Sequence, residues 1–186
     1  SGKLVARLDC LNQSADLLKT FNKNKVLAVS SNRLIVWDLE TESILYKIDA
    51  HHEQISEICL LEHSVISCSE DGTVKAWDVL NGELLTEYKG HTDAVWGLKD
   101  IDSDRFLSWS EDGTIRIWDK ESGGCLAVMA DHKAPIVGVN LDFSANLLSW
   151  GEDSSIRVWS LLDYGQKEII PELSAEIDIA FQVSAK

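Results

Sequence analysis

The 186-residue sequence is poor in proline, in long apolar runs and in positive charge. Two prolines and no low-complexity tract leave no obvious linker between domains. No apolar run approaches the roughly 18 residues of a membrane span, so no membrane partner is expected. The 17 lysines and arginines are outnumbered by 31 acidic residues, which gives a net charge of −14. Direct binding of nucleic acid is not expected, because it draws on clustered basic side chains. The acidic charge suits basic partners, or simply solubility.

Cysteine pairs with metal-binding or redox spacing are also missing. Cys10, Cys59, Cys68 and Cys125 show no C-x-x-C spacing and sit among apolar residues. We therefore expect buried free thiols and a cytoplasmic or other reducing intracellular location. The histidines lack ligand spacing with the cysteines or with each other, so neither a metal nor another cofactor is expected.

The sequence does contain a repeat of about 40 residues. Trp37, Trp77, Trp118 and Trp159 each close a short β-patterned run and lie 40, 41 and 41 residues apart. A histidine follows each of the first three tryptophans after 14 residues. Self-similarity at this period indicates stacked repeats.

Turn signals divide each repeat into short strands. The dipeptide Asp-Gly recurs at residues 71–72 and 112–113 between apolar runs, as in β-hairpins. The run TIRIW alternates, which puts Ile115 and Ile117 on one face and Arg116 on the other. No window shows a convincing helical stripe. The pattern predicts four short strands per repeat.

These repeats resemble the WD-repeat family of β-propellers. The resemblance rests on GHTDAVWGL from residue 90, on SWSEDGTIRIWD from residue 108 and on their copies, and it covers nearly the whole chain. It implies four-stranded blades around a ring that usually works as a protein-binding platform. The first and last repeats depart from the pattern, with Leu11 and Leu173 where a histidine is expected and Ser160 in place of an aspartate.

The resemblance further implies a buried hydrogen-bonded tetrad of histidine, serine, aspartate and tryptophan in three of the repeats. The three sets are His51, Ser67, Asp71 and Trp77; His91, Ser108, Asp112 and Trp118; and His132, Ser149, Asp153 and Trp159. A buried indole N–H needs an acceptor, a hydroxyl both donates and accepts, and a carboxylate can set the imidazole tautomer. A hydrolase triad is the alternative, but three equivalent copies tied to tryptophan favour structure, so no catalytic residue is expected.

Candidate partner-binding residues lie near the start of the innermost strands, which in the family border the central opening. They are Trp96, its equivalents Ser56 and Val137, and the glutamates that precede the tetrad aspartates, Glu70, Glu111 and Glu152. An aromatic ring beside repeated carboxylates suits an arginine- or lysine-bearing protein or peptide. A solvated acidic rim is the alternative.

Alignment by the tryptophans predicts an all-β propeller arc of about four four-stranded blades. The blades fall at about residues 15–50, 51–90, 91–131 and 132–172, with partial blades at 1–10 and 173–186. We expect a segment of a larger ring, completed by a parent chain or a second copy. The predicted function is a non-catalytic protein- or peptide-binding scaffold. The alternative is a regulatory or sensor segment of a larger multidomain enzyme whose catalytic part lies outside this sequence.

Overall fold

The computed structural model describes residues 15–21, 24–141, 146–162 and 166–171, which form sixteen β-strands in four antiparallel sheets. Sheet 1 contains β1 (Leu17–Phe21), β2 (Lys25–Ser30), β3 (Arg33–Asp38) and β4 (Ser43–Asp49). Sheet 2 contains β5 (Ile55–Leu60), β6 (Ser64–Ser69), β7 (Val74–Asp78) and β8 (Leu84–Tyr88). Sheet 3 contains β9 (Val95–Asp100), β10 (Arg105–Ser110), β11 (Ile115–Asp119) and β12 (Cys125–Met129). Sheet 4 contains β13 (Ile136–Leu141), β14 (Asn146–Gly151), β15 (Ser155–Ser160) and β16 (Gln166–Pro171).

Each sheet is a meander in which neighbouring strands follow one another in the chain. The turn between its second and third strands needs a residue in the left-handed region. Gly72 and Gly113 fill it with φ of +79° and +76°, a conformation that glycine adopts without steric cost. Ser31 and Ser154 hold the corresponding turns of sheets 1 and 4 with φ of +55° and +57°.

The four sheets pack face to face in chain order. The first strands of successive sheets are neighbours, with β1 against β5, β5 against β9 and β9 against β13. Alternation along the strands sends every second side chain into the space between two sheets. Between sheets 2 and 3 that space is filled by residues that include Ile66, Val74, Phe106 and Trp118. In the described part of the chain the sheets form an unclosed arc, which confirms the predicted all-β arc of four-stranded blades.

Sheet 3 is covered by a neighbouring sheet on both faces, whereas one face of sheet 4 is only partly buried. Ile115 and Ile117 of β11 are fully buried in the apolar cluster that joins sheets 3 and 4. Ile156 and Val158, which occupy the corresponding positions of β15, are only half-buried. The far face of sheet 4 therefore leaves apolar surface in contact with water.

The expectation of buried free thiols is only partly met. Cys68 is buried and Cys59 is half-buried, and both are free thiols. The expectation of burial is wrong for Cys125, which is exposed because it opens the outermost strand of sheet 3, with no further described strand paired beyond it. Cys10, Leu11, Leu173 and the predicted partial blades lie outside the described residues. Within the described residues, no helix is long and apolar enough to cross a bilayer.

Candidate functional site

The tetrad of sheet 3 is a continuous hydrogen-bonded chain. The Nε2 atom of His91 lies 2.7 Å from Ser108 Oγ, and its Nδ1 atom lies 2.9 Å from Asp112 Oδ2. The indole N–H of Trp118 donates to Ser108 Oγ at 2.8 Å. The chain joins the loop before β9, the middle of β10, the β10–β11 turn and β11. It therefore ties all the inner parts of one sheet together.

The same chain recurs in the neighbouring sheets with nearly the same distances. In sheet 2, His51 Nε2 lies 2.7 Å from Ser67 Oγ, and the indole of Trp77 donates to that oxygen at 2.9 Å. In sheet 4 the matching distances to Ser149 Oγ are 2.8 Å from His132 and 2.9 Å from Trp159. The contacts of Asp71 and Asp153 with the Nδ1 atoms of their histidines complete the two sets.

The direction of these hydrogen bonds fits a structural role. A carboxylate only accepts, so the Nδ1 atom of His51 donates to Asp71 and its Nε2 atom is left to accept the hydroxyl proton of Ser67. The same serine oxygen accepts the Trp77 N–H. Ser67, Ser108 and Ser149 are fully buried, so none of these hydroxyls can reach the carbonyl group of a substrate.

A hydroxyl two residues after each aspartate also belongs to the network, although it is not part of the predicted tetrads. The hydroxyl groups of Thr73, Thr114 and Ser155 each donate to the carboxylate of their turn at 2.6 Å. The sequence does mark these residues, because a serine or threonine follows the Asp-Gly or Asp-Ser dipeptide in all three repeats. Such Asx-type bonds hold the turn that carries the aspartate.

Burial holds the sheet 2 histidine in its neutral form. Desolvation is the main cause that lowers the pKa of His51 to about 4, although the charge of Asp71 acts in the opposite direction. Burial would raise the pKa of Asp71, but hydrogen bonds from Thr73 and from the backbone N–H of His52 outweigh it and lower that pKa to about 2. The pair is therefore a neutral imidazole beside a carboxylate at neutral pH.

Sheet 4 adds a buried arginine to its tetrad. The guanidinium of Arg157 contacts His132 Nδ1, donates to Asp153 Oδ2 at 2.7 Å and reaches Asp131 at 3.2 Å. Burial is the main cause that lowers the pKa of His132; the hydrogen bond that its ring donates to Asp153 raises that pKa, and the charge of Arg157 lowers it. Arg116, at the corresponding position of sheet 3, instead lies 3.9 Å from Cys125 Sγ.

Sheet 1 has the tryptophan without the tetrad. Leu27 occupies the position of the tetrad serine, and Trp37 Nε1 is buried without a hydrogen-bond partner among the described residues. Its turn is held differently, because the backbone N–H of Ser31 donates to the carboxylate of Asp16 at 2.7 Å. The first repeat is therefore held by packing rather than by a polar network.

Trp96 is the centre of a second group of residues, at the start of the innermost strands. Its side chain is 40% exposed. On one side it borders a cavity of about 410 Å³ that is also lined by Glu111, Glu152 and Val137. On the other side it borders a cavity of about 300 Å³, whose lining includes Asp16, Gln54, Ser56 and Glu70. The structure thus places the other five predicted partner-binding residues in the lining of the two cavities that Trp96 borders.

Equivalent backbone bonds position the three glutamates. The N–H groups of Glu70, Glu111 and Glu152 donate to carbonyl groups just before the innermost strands, at 3.0, 2.9 and 2.9 Å. None of the three carboxylates forms an ion pair with a lysine or arginine of the described residues. Asp16, which is not among the predicted residues, adds a fourth carboxylate. Among the described residues, no cluster of histidine, cysteine and acidic side chains could hold a metal ion.

Known proteins share both the sequence pattern and the fold. The family model described as WD domain, G-beta repeat (WD40) matches residues 42–78 and 82–119. Autophagy-related protein 16 of Arabidopsis thaliana is 28% identical over 132 residues, which cover 58% of this chain and 26% of that protein. The WD40 β-propeller domain of Doa1 superposes with a TM-score of 0.67 at 26% identity, covering 82% of this chain and 52% of that chain. The computationally designed Ika4 protein gives a TM-score of 0.74 at 26% identity, with 86% and 99% covered. The chain spans about a quarter or less of the length of the curated relatives it matches.

Proposed function

Because this chain carries WD repeats folded as successive β-propeller blades, we propose that it is a non-catalytic scaffold. We propose that it binds an arginine- or lysine-bearing segment of a protein partner at the Trp96 face, which comprises Trp96, Ser56, Val137, Glu70, Glu111, Glu152 and Asp16. The proposal rests on the position of the Trp96 indole between two cavities. Trp96 forms a wall of two adjoining cavities, and each cavity also has at least one carboxylate without a basic partner among the described residues.

The chemistry of the Trp96 face suits a guanidinium or an ammonium group. A cation over a partly exposed indole gains about 0.5–1 kcal/mol, and more when the contact is desolvated. A carboxylate beside it adds a charge-assisted hydrogen bond. Glu111 and Glu152 lie on one side of the ring and Asp16 and Glu70 on the other, so a basic side chain meets acceptors in either cavity. The net charge of −14 favours association with basic partners over long range.

The proposal that the chain is non-catalytic is supported by the state of its triad-like residues. Each tetrad serine is buried and has its oxygen bound to an indole N–H. Hydrolysis through these groups would need an exposed hydroxyl and an oxyanion hole. Three free thiols among the described cysteines support a reducing intracellular location as a further proposal.

We also propose that a further blade packs on the far face of sheet 4, supplied by a longer parent chain or by a second copy. The half-buried Ile156 and Val158 support this, because the equivalent Ile115 and Ile117 are sealed by a neighbouring sheet. Covering apolar surface gains roughly 25 cal/mol per Å². Sedimentation at several protein concentrations tests the second copy, which predicts a concentration-dependent dimer.

Titration with a labelled peptide of alternating arginine and alanine tests the Trp96 site. We expect the unaltered chain to bind it, Trp96→Phe to keep most of the affinity and Trp96→Ala to lose it, because only an aromatic face attracts the cation. Fluorescence anisotropy gives the dissociation constants. Equal affinity in the unaltered chain and in Trp96→Ala would overturn the proposed site.

A further inference from the structure

A groove lies between sheets 2 and 3, at the opposite end of the innermost strands from Trp96. It has a volume of about 710 Å³, within the range of ligand-binding clefts. Trp96 is near the start of β9, whereas the groove is lined by Asp100 at the end of that strand. Four residues of extended chain place the two about 13 Å apart. The groove is therefore a surface separate from the Trp96 face.

Leucine side chains form an apolar patch in the otherwise polar lining of the groove, and one of them is largely exposed. Leu60, Leu61 and Leu85 line it, with the buried Ala76 and Tyr88 beneath them. Leu85 falls within the register shift between β7 and β8, so it has no cross-strand partner. A bulge of this kind re-aims a side chain, and Leu85 is left 54% exposed. It is free to contact an apolar group from outside.

The floor of the groove is held by bonds that are already formed. The hydroxyl of Tyr88 donates to the backbone carbonyl of Lys120 at 3.0 Å, which links sheet 2 to sheet 3. The ammonium group of Lys120 lies 2.6 Å from Asp100 Oδ1 and also donates to the carbonyl of Asp102. The charge of this lysine is therefore balanced within the protein. A preformed groove loses little conformational freedom when it is occupied.

The charges left at the groove are negative. Asp102 is paired with Arg105 at 2.6 Å. Glu62 and Glu121 are exposed, and neither forms an ion pair with a lysine or arginine of the described residues. The only ion-pair contact of Glu62 in this part of the chain is with His63, at 3.8 Å and almost fully in solvent. Charge complementarity therefore favours a basic occupant over an acidic one.

We propose that this groove binds an extended segment of a partner protein that places a leucine-sized side chain against Leu60 and Leu85 and a lysine or arginine beside Glu62 or Glu121. The apolar contact supplies most of the affinity, since burial of a large aliphatic side chain outweighs exposed ion pairs. The carboxylates select a basic sequence and speed its association. The chain then offers two binding surfaces, one at each end of its innermost strands.

A short fluorescein-labelled peptide with one leucine between two lysines tests the proposal. We expect saturable binding, and losses of about tenfold when the leucine becomes serine or the lysines become glutamate. Leu85→Ser should weaken binding by about tenfold. Leu126→Ser is the matched control, because Leu126 is 48% exposed and lies in the same register shift of sheet 3. All these affinities are measured in a Trp96→Ala background, so that lysine bound at the Trp96 face does not contribute.

Amide chemical-shift mapping on the unaltered chain gives a second readout that does not depend on how the variants fold. The peptide should shift Thr86 and Ser103, which line the groove. Equal losses in Leu85→Ser and Leu126→Ser would overturn the proposal. So would shifts confined to the Trp96 face, or no saturable binding of the leucine–lysine peptide.

Discussion

The indole N–H of Trp118 donates to the hydroxyl oxygen of Ser108 at 2.8 Å, and both side chains are fully buried. The equivalent indole of sheet 1, in Trp37, has no hydrogen-bond partner among the described residues because Leu27 replaces the serine. Tryptophan thus occupies the same position of a sheet with a polar network in sheet 3 and without one in sheet 1. This contrast separates the energy of the hydrogen bond from that of packing.

Replacing each of these two tryptophans by phenylalanine measures the difference in stability. Trp118→Phe keeps an aromatic ring but leaves Ser108 without its donor. We expect it to lower the free energy of unfolding by about 1–3 kcal/mol more than Trp37→Phe does, because only the first substitution removes a buried hydrogen bond. Chemical denaturation measures both values. Equal losses would mean that the indole hydrogen bond contributes nothing to stability.

Ser108→Ala separates structure from catalysis at the same place. We expect a less stable protein and no change in turnover of ester or peptide substrates, because the serine is enclosed and its oxygen is occupied. A general esterase and peptidase assay with a thermal unfolding curve checks this. Turnover by the unaltered chain that disappears in a still-folded Ser108→Ala variant would contradict the structural role.

Gly97 is required by the ring that lies over it. A Cβ atom at Gly97 would come within 2.0 Å of Trp109 Cζ2, and the two residues are cross-strand partners in β9 and β10. We expect Gly97→Ala to cost about 1–3 kcal/mol through overpacking. Gly124→Ala is the control, since it meets only the hydroxyl of Ser122 at 3.2 Å and should change stability by less than about 0.5 kcal/mol. Denaturant midpoints compare them, and similar losses would contradict this account of Gly97.

Acid should destabilise the fold through His51 before it affects the aspartates. The pKa of this histidine is about 4 in the folded protein against an ordinary value of 6.5, so the unfolded chain binds more protons between these pH values. Stability should therefore fall as the pH drops from about 6.5 to 4, by on the order of 2–3 kcal/mol. Asp71, with a pKa of about 2 when folded, extends the loss below pH 4.

Unfolding curves at a series of pH values measure this dependence. His51→Gln removes the titrating group and should flatten the slope of stability against pH between about 6.5 and 4. A slope identical to that of the unaltered chain would show that His51 is not the group responsible.

The repeats made the fold predictable. The tryptophan spacing of 40 and 41 residues and the Asp-Gly turns indicated stacked four-stranded units, and the sheets follow that order. The tetrad residues were identified through the resemblance to the WD-repeat family, and the hydrogen-bonding needs of an indole, a hydroxyl, an imidazole and a carboxylate explain the residue types. The structure brings them to hydrogen-bond distance.

Features unique to one repeat could not be predicted in the same way. Arg157 joins the tetrad of sheet 4, while Arg116 at the corresponding position does not, and alternation alone puts both on a solvent-facing side. Asp16 reaches the Trp96 face from a repeat without the histidine pattern. Such contacts depend on how two sheets meet, which a one-dimensional pattern does not contain.

The most direct test of the proposed scaffold function compares two triple variants of equal charge. Glu70, Glu111 and Glu152 become glutamine in one variant, and Glu42, Glu83 and Glu87, which are exposed on the outer strands and turns, become glutamine in the other. The measurement is the affinity for the arginine–alanine peptide at low and high salt. We predict that the first variant loses about tenfold or more in affinity and much of its salt dependence, whereas the second stays close to the unaltered chain. Equal losses in both variants would mean that only net charge matters, and no loss in the first would mean that the Trp96 face does not bind basic segments.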